Sequence, residues 1–277
     1  MTKGGTRRVR LDAELVRRRL ARSRDHAADL IARGDVLVAG QPASKPATQV
    51  QTDQPIVVRE TAGPSWVSRG AHKLLGALAA FEPMGLAVAG RRCLDAGAST
   101  GGFTEVLLSR GAREVLAVDV GYGQLAWSLQ SDPRVEVHDR TNVRELTVET
   151  LGGDVDVVVS DLSFISLTVV LPALTGVCTQ GGDMVLMVKP QFEVGRANLG
   201  KNGVVRDPML HSNAVYAVCQ AAHNLGWGTR ALAPSPLPGP AGNVEYFCWL
   251  RTDAGAPSLG DAVAAVEAGP LSGRTAS

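Results

Sequence analysis

Asp95-Ala96-Gly97-Ala98-Ser99-Thr100-Gly101-Gly102-Phe103 lies between an apolar run and a segment with helical spacing, and its reading decides the fold. Gly97 and Gly101 permit a tight turn and let the backbone come close to a nucleoside-bearing ligand. The residues before the turn, 93–96, predict a strand, and 103–110 predict a helix. The same alternation continues outward along the chain. Strands are expected at 115–119, 135–138, 155–161 and 184–189, a long helix at 208–225, and late strands at 229–233 and 244–250. The valines of 155–159 are those of a strand buried on both faces. Alternating strands and helices imply an α/β domain: a doubly wound, mostly parallel sheet whose site lies at the carboxyl ends of its strands.

The ligand can be narrowed. Asp119 closes the second strand, where a carboxylate accepts both hydroxyls of a ribose. The turn is not G-x-G-x-x-G, because Ser99 stands where a second glycine makes room for a pyrophosphate, and no phosphate-cradling G-x-x-x-x-G-K-[ST] loop is present. S-adenosylmethionine carries no phosphate and needs neither device, so it is the expected cofactor, with NAD second. The residues expected to hold it are Asp95, Gly97, Ala98, Ser99, Thr100, Gly101, Gly102 and Asp119. Asp139, just past the third strand, either accepts from the adenine amino group or is a solvated turn residue.

The N-terminal part has a different character. Residues 1–60 hold 12 Lys/Arg against 7 Asp/Glu, a net +5, whereas the remainder is −4. That asymmetry suits a small unit facing a polyanion, attached to a mildly acidic body. Asp12 is expected to cap a helix over 13–20, Ser23 a helix over 24–33, and Gly34 to end it. Short strands at 36–39 and 56–58, with a Gly40-Gln41-Pro42 turn, complete a small α+β domain over 1–60. Residues 61–67 read as a linker, 68–252 as the second domain and 253–277 as a tail with one helix near 261–268. The candidate RNA-facing cations are Arg7, Arg8, Arg10, Arg17, Arg18, Arg22, Arg24 and Lys45, with Arg17 and Arg18 placed away from Leu15 and Leu20. A solvated arginine-rich surface is the alternative. Aromatic residues make up only 4% of the chain, so base stacking is not its main mode of partner binding. The four cysteines lie far apart in apolar segments and read as core residues of a reducing compartment. No apolar run reaches the roughly 20 residues of a membrane span. A cytoplasmic protein is expected, without membrane partner or metal, since the five histidines show no ligand spacing.

Four charged residues stand where a buried apolar sheet would not ordinarily place them. Asp161 and Lys189 end two strands, Glu245 falls in a late strand, and Lys73 lies on a helix entering the second domain. In order and setting, Lys73, Asp161, Lys189 and Glu245 resemble the K-D-K-E tetrad of FtsJ-type ribose 2′-O-methyltransferases. The whole chain from about 8 to 252 is similar to the TlyA (haemolysin A-like) rRNA methyltransferase family. The resemblance is carried by the stretches at 68–74, 95–104, 119–125, 160–166, 188–193 and 242–247. The N-terminal unit resembles the S-four-type RNA-binding domain. These resemblances imply a Rossmann-like class I methyltransferase domain and methylation of cytidine 2′-hydroxyls in 16S or 23S rRNA within ribosomal particles. They also imply an effect on susceptibility to capreomycin-like ribosome inhibitors.

The chemistry is coherent without the family. A ribose hydroxyl is a very weak acid, so methyl transfer to it requires its proton to leave as the C–O bond forms. Lys189 is the candidate base, in its neutral form, with Lys73 the neighbouring cation that favours that form. Asp161 and Glu245 would position the amines and the hydroxyl, and Arg69 and His72 either line the nucleotide's approach or form a solvated loop. Three other readings stay open. Asp161-Leu162-Ser163-Phe164 superficially resembles the acidic-x-x-aromatic motif of base N-methyltransferases, though without the proline pair that usually follows the acid. A non-catalytic ribosome assembly factor and a haemolysin are the readings from other classes.

Overall fold

The computed structural model describes residues 8–21, 24–32, 34–59, 66–239 and 241–271. The chain divides into two compact units, Met1–Arg69 and Gly70–Ser277.

In the first unit β1 (Arg8–Arg10) runs directly into α1 (Leu11–Arg17), followed by α2 (Arg24–Ala32). Then come β2 (Val36–Val38), β3 (Gln41–Pro42), β4 (Gln49–Gln51) and β5 (Ile56–Val58). β2 pairs antiparallel with β3 and β5, and β1 pairs with β4. Ala39 and Gly40 both have positive φ, as a two-residue hairpin turn requires, so Gln41 and Pro42 are strand and not turn. Leu11, Leu15, Ala27, Leu30, Ile31, Val36, Val50 and Ile56 form the core. Helix α1 starts earlier than expected: Arg10 occupies the cap position with extended backbone, and Asp12 lies buried inside the first turn. Ser23 and Arg33 lie outside the described residues, while Gly34 ends α2 in the left-handed conformation (φ +76°).

The second unit opens with α3 (Gly70–Phe81). There follow β6 (Arg92–Ala96), α4 (Gly102–Ser109), β7 (Glu114–Val118), the one-turn α5 (Trp127–Gln130), β8 (Val135–His138) and β9 (Val155–Ser160). After these come α6 (Leu167–Val177), β10 (Cys178–Val188), the short α7 (Pro190–Glu193), α8 (Pro208–Asn224), β11 (Gly228–Pro234), β12 (Tyr246–Arg251) and α9 (Leu259–Glu267). The seven strands are ordered β8-β7-β6-β9-β10-β12-β11, parallel except for β12, which is antiparallel to both neighbours. The order reverses between β6 and β9, the place where such sheets open a crevice for a ligand.

Side chains alternate across the strands and bury both faces. Leu94, Leu116, Val158, Leu186 and Cys248 share one cluster with Val170 and Leu174 of α6, Val215 and Val218 of α8, and Ala262 and Val266 of α9. The segment set apart in sequence as a tail therefore contributes a helix to this core. On the opposite face, Phe81 of α3 packs on Trp249 with ring centroids 5.6 Å apart, and Phe103 of α4 on Phe247 at 6.1 Å. Away from the crevice, buried Asp183 accepts from Arg91, from Trp249 Nε1 (2.7 Å) and from Arg251 (2.8 Å), tying β10 and β12 to the chain entering β6. Among the described residues, no helix is long and apolar enough to cross a membrane.

Candidate active site

Three left-handed residues shape the turn between β6 and α4: Gly97 (φ +91°), Ser99 (φ +48°) and Gly101 (φ +97°). The amides of Gly97 and Ala98 both donate to Val118 O, which pins the turn to the end of β7. A Cβ at Gly97 would stand 3.0 Å from Leu162 and 3.3 Å from Asp161 O, so glycine lets the turn approach the loop that follows β9. Thr100 is exposed, and buried Gly102 begins α4, whose cap residue Gly101 has no side chain to satisfy the first amides. Asp119 lies just past β7, where its two oxygens accept from Ser99 N (2.8 Å) and Gly121 N (2.7 Å). Asp139 accepts from Gly123 N at 2.9 Å, so it braces the loop after Asp119 and is not simply a solvated turn residue. Asp95 is fully buried. One oxygen accepts from Thr104 Oγ1 (2.7 Å), the other has no partner, and burial, assisted by Asp161 and Asp119, pushes the carboxyl up to about 7.

The four charged residues converge at the carboxyl edge of the sheet. Lys73 lies in the first turn of α3, Asp161 and Lys189 directly follow β9 and β10, and Glu245 precedes β12, one residue outside the strand that the sequence assigned it to. Lys73 Nζ is 2.6 Å from Glu245 Oε2 and 3.7 Å from Asp161 Oδ2, while Lys189 Nζ is 2.5 Å from Asp161 Oδ1. The result is a line of alternating charge, Glu245–Lys73–Asp161–Lys189. Lys73 and Glu245 are only 4% and 1% exposed. Asp161 shares its oxygens between the two lysines and so stands between Lys73 and Lys189.

Neighbours without an assigned role in the sequence complete the site. Ser163 Oγ accepts from Lys189 Nζ at 2.8 Å, and Gln191 Nε2 approaches Glu245 Oε1 at 3.5 Å. Phe164 is 92% exposed, holds a positive φ of 65° and packs on Phe192 with centroids 5.4 Å apart. Glu193 accepts from Ser166 Oγ (2.5 Å) and Leu167 N (2.8 Å). All lie within or beside motifs visible in the sequence, but contacts between separate loops leave no periodic signal. Arg69 and His72 are partly buried.

The basic surface of the first unit is more engaged than its sequence suggests. Arg10 makes two hydrogen bonds to Asp12, which also accepts from Arg24. These guanidinium contacts, that of Arg10 foremost, hold the Asp12 carboxyl well below its usual range. Glu14 accepts from Arg17 and Arg18 and is lowered to about 2, chiefly by Arg17. Arg18 also donates to Thr52 O and Gln54 O, which ties α1 to the turn after β4. It stands at the C-terminal cap of α1, and Leu20, although beyond the helix, packs against the same apolar cluster as Leu15. Arg8, Lys45 and the unforeseen Arg19 are exposed, while Arg7 and Arg22 fall outside the described residues. Among the described residues, no cluster of three His, Cys, Asp or Glu can hold a metal ion, and all four cysteines are buried and free.

Comparison with known proteins identifies the two domains. Residues 66–252 match the model of the FtsJ-like methyltransferases, and residues 9–56 that of the S4 domain. The 16S/23S rRNA (cytidine-2′-O)-methyltransferase TlyA of Mycobacterium tuberculosis is 60% identical over 95% of this chain and 99% of its own. Hemolysin A of Brachyspira hyodysenteriae is 35% identical over 86% of this chain and 98% of its own. A solved structure named as a hemolysin, from Streptococcus thermophilus, superposes with a TM-score of 0.74 at 35% identity and 95% coverage of both chains. The chain belongs to the FtsJ-like methyltransferase family, alongside the TlyA proteins, and carries an S4 domain ahead of its methyltransferase domain.

Proposed function

We propose that this protein transfers a methyl group from S-adenosylmethionine to cytidine 2′-hydroxyls of 16S and 23S rRNA in ribosomal particles. The observation that carries the reading is the line of alternating charge from Glu245 to Lys189 beside a nucleoside-shaped turn. The turn fits the methyl donor: Asp119 suits its ribose, the backbone of 97–101 leaves room for it, and the unpartnered oxygen of Asp95 suits its ammonium. Bound there, the donor supplies a sulfonium methyl, electrophilic enough to be taken directly by an oxygen nucleophile.

The protein's own task is to deliver that oxygen. Lys189, held by Asp161 and Ser163, accepts the hydroxyl proton in its neutral form as the C–O bond develops, and the buried Lys73–Glu245 pair fixes Asp161 from behind. Holding the hydroxyl, methyl and sulfur in line supplies much of the acceleration. The S4 unit contributes positioning on phosphate through cations such as Arg8, Arg19 and Lys45.

The decisive experiment offers labelled donor to unmodified 30S, 50S and 70S particles and digests the RNA to nucleosides. Labelled 2′-O-methylcytidine is expected; label on a base would instead favour the nitrogen-methylating reading.

Two further results are expected. Phe164 is an exposed ring next in sequence to Ser163, the hydrogen-bond partner of Lys189, and an extruded base can stack on it, a contact of about 1–3 kcal/mol. Phe164→Ala should therefore lower kcat/KM for the particle about tenfold or more while leaving donor affinity unchanged by calorimetry. Below about pH 7 the free protein keeps Asp95 protonated. A bound ammonium favours the carboxylate, so binding releases a proton. Donor affinity should thus rise with pH, level off above about 7, and lose this dependence in Asp95→Asn.

A further inference from the structure

Two segments carry the reacting side chains: the loop of residues 161–166 leaves β9 for α6, and Lys189 with the one-turn α7 (Pro190–Glu193) directly follows β10. They are joined at three levels. Nearest the sheet, Lys189 meets Asp161 and Ser163. In the middle, Phe192 packs on Phe164. At the far end, Glu193 takes Ser166 Oγ on one oxygen and Leu167 N on the other. The first level is made of groups that change charge and partner during the reaction, so it cannot by itself keep the loops at a fixed spacing. The second rests on a ring with almost no burial and a left-handed backbone, a conformation that persists only when its surroundings impose it.

We propose that Glu193 is a positioning residue for methyl transfer, a clamp that holds the Asp161–Ser163 loop against the Lys189 loop so that the base keeps its aim. The proposal rests on the tetrad reading given above. Glu193 reaches across from the end of α7, and it is half-buried, with burial raising its carboxyl above the usual range while both partners oppose that shift. A group placed merely to cap α6 would matter for stability alone, since Ser166 already supplies that helix with a side-chain cap. A clamp sets the distance between Lys189 and the hydroxyl, where a misplacement near 1 Å costs on the order of 100-fold in rate.

The test compares full-length wild type, E193A and E193Q in labelled-methyl transfer to ribosomal particles, with donor affinity measured by calorimetry. E193A is expected to lose about 30-fold or more in kcat, with donor Kd and particle KM within about twofold. E193Q should recover most of that loss, because its amide oxygen accepts from Leu167 N and its NH2 donates to Ser166 Oγ. A folded E193A with kcat within threefold of wild type overturns the proposal, as does an E193Q no better than E193A. Should E193A fail to fold, Ser166→Ala removes one partner alone: a several-fold drop in kcat at constant KM supports the clamp, and an unchanged kcat refutes it. Absence of ribose methylation by wild type would instead defeat the assigned reaction, and the two failures are distinguishable in one assay.

Discussion

Lys189→Met is expected to lower kcat for methyl transfer about 1,000-fold while the dissociation constant of S-adenosylmethionine changes less than twofold. Methionine keeps much of the length and apolar stem of lysine but accepts no proton, and proton removal by a positioned base contributes typically 10²- to 10⁴-fold. The cofactor turn is built by Gly97, Ser99, Gly101 and Asp119, none of which bonds Lys189, so the ground-state complex should survive. The loss is expected to be incomplete, because alignment of the hydroxyl and sulfonium remains. Single-turnover kinetics on particles, with donor binding measured separately, decide the matter. A parallel collapse of donor affinity would mean that Lys189 is holding the loop together and not receiving a proton.

The parts of this site that lay open in the sequence are those set by one segment at a time. Strands β6, β7, β8 and β9 could be placed to within a residue: β6, β7 and β9 are buried and largely apolar, with Asp119 and Asp161 just past the ends of β7 and β9, while β8 is a more exposed edge strand with valines at alternate positions 135 and 137. β10 was foreseen only in its second half. Gly181, Gly182 and Asp183 interrupt its apolar run, and the strand is irregular between Cys178 and Asp183. Helix α6 gave no clear periodic stripe, since it is apolar nearly all round and contains Pro172. In the S4 unit, three-residue strands such as Gln49–Gln51 fall below the length at which alternation is informative, and Asp12 looks like a cap until its buried ion pairs are seen. Residue types at the site were legible, but partners were not. That Asp161 separates the two lysines, and that Arg18 is spent on Thr52 and Gln54, follow only from contacts between distant segments.

Glu245→Ala should unfold at a markedly lower denaturant concentration, with a loss of about 3–5 kcal/mol, and should transfer no measurable methyl. The size follows from burial. Lys73 and Glu245 meet at 2.6 Å with almost no access to water, so alanine strands an ammonium whose remaining acidic neighbour, Asp161, is 3.7 Å away. The same reasoning separates stability from catalysis. In a Lys73→Met/Glu245→Leu double variant no buried charge is left unpaired, and apolar groups of similar volume replace a pair that was costly to desolvate. Its stability should return to within about 1–2 kcal/mol of wild type. Activity should stay lost, because Asp161 then has no cation behind it and is free to follow Lys189 alone. Unfolding curves and methyl transfer on wild type and the two variants test both halves. A double variant as unstable as Glu245→Ala would show that these side chains are needed for their shape or for other hydrogen bonds. A double variant that regained activity would show that the pair stabilises the fold without taking part in the reaction.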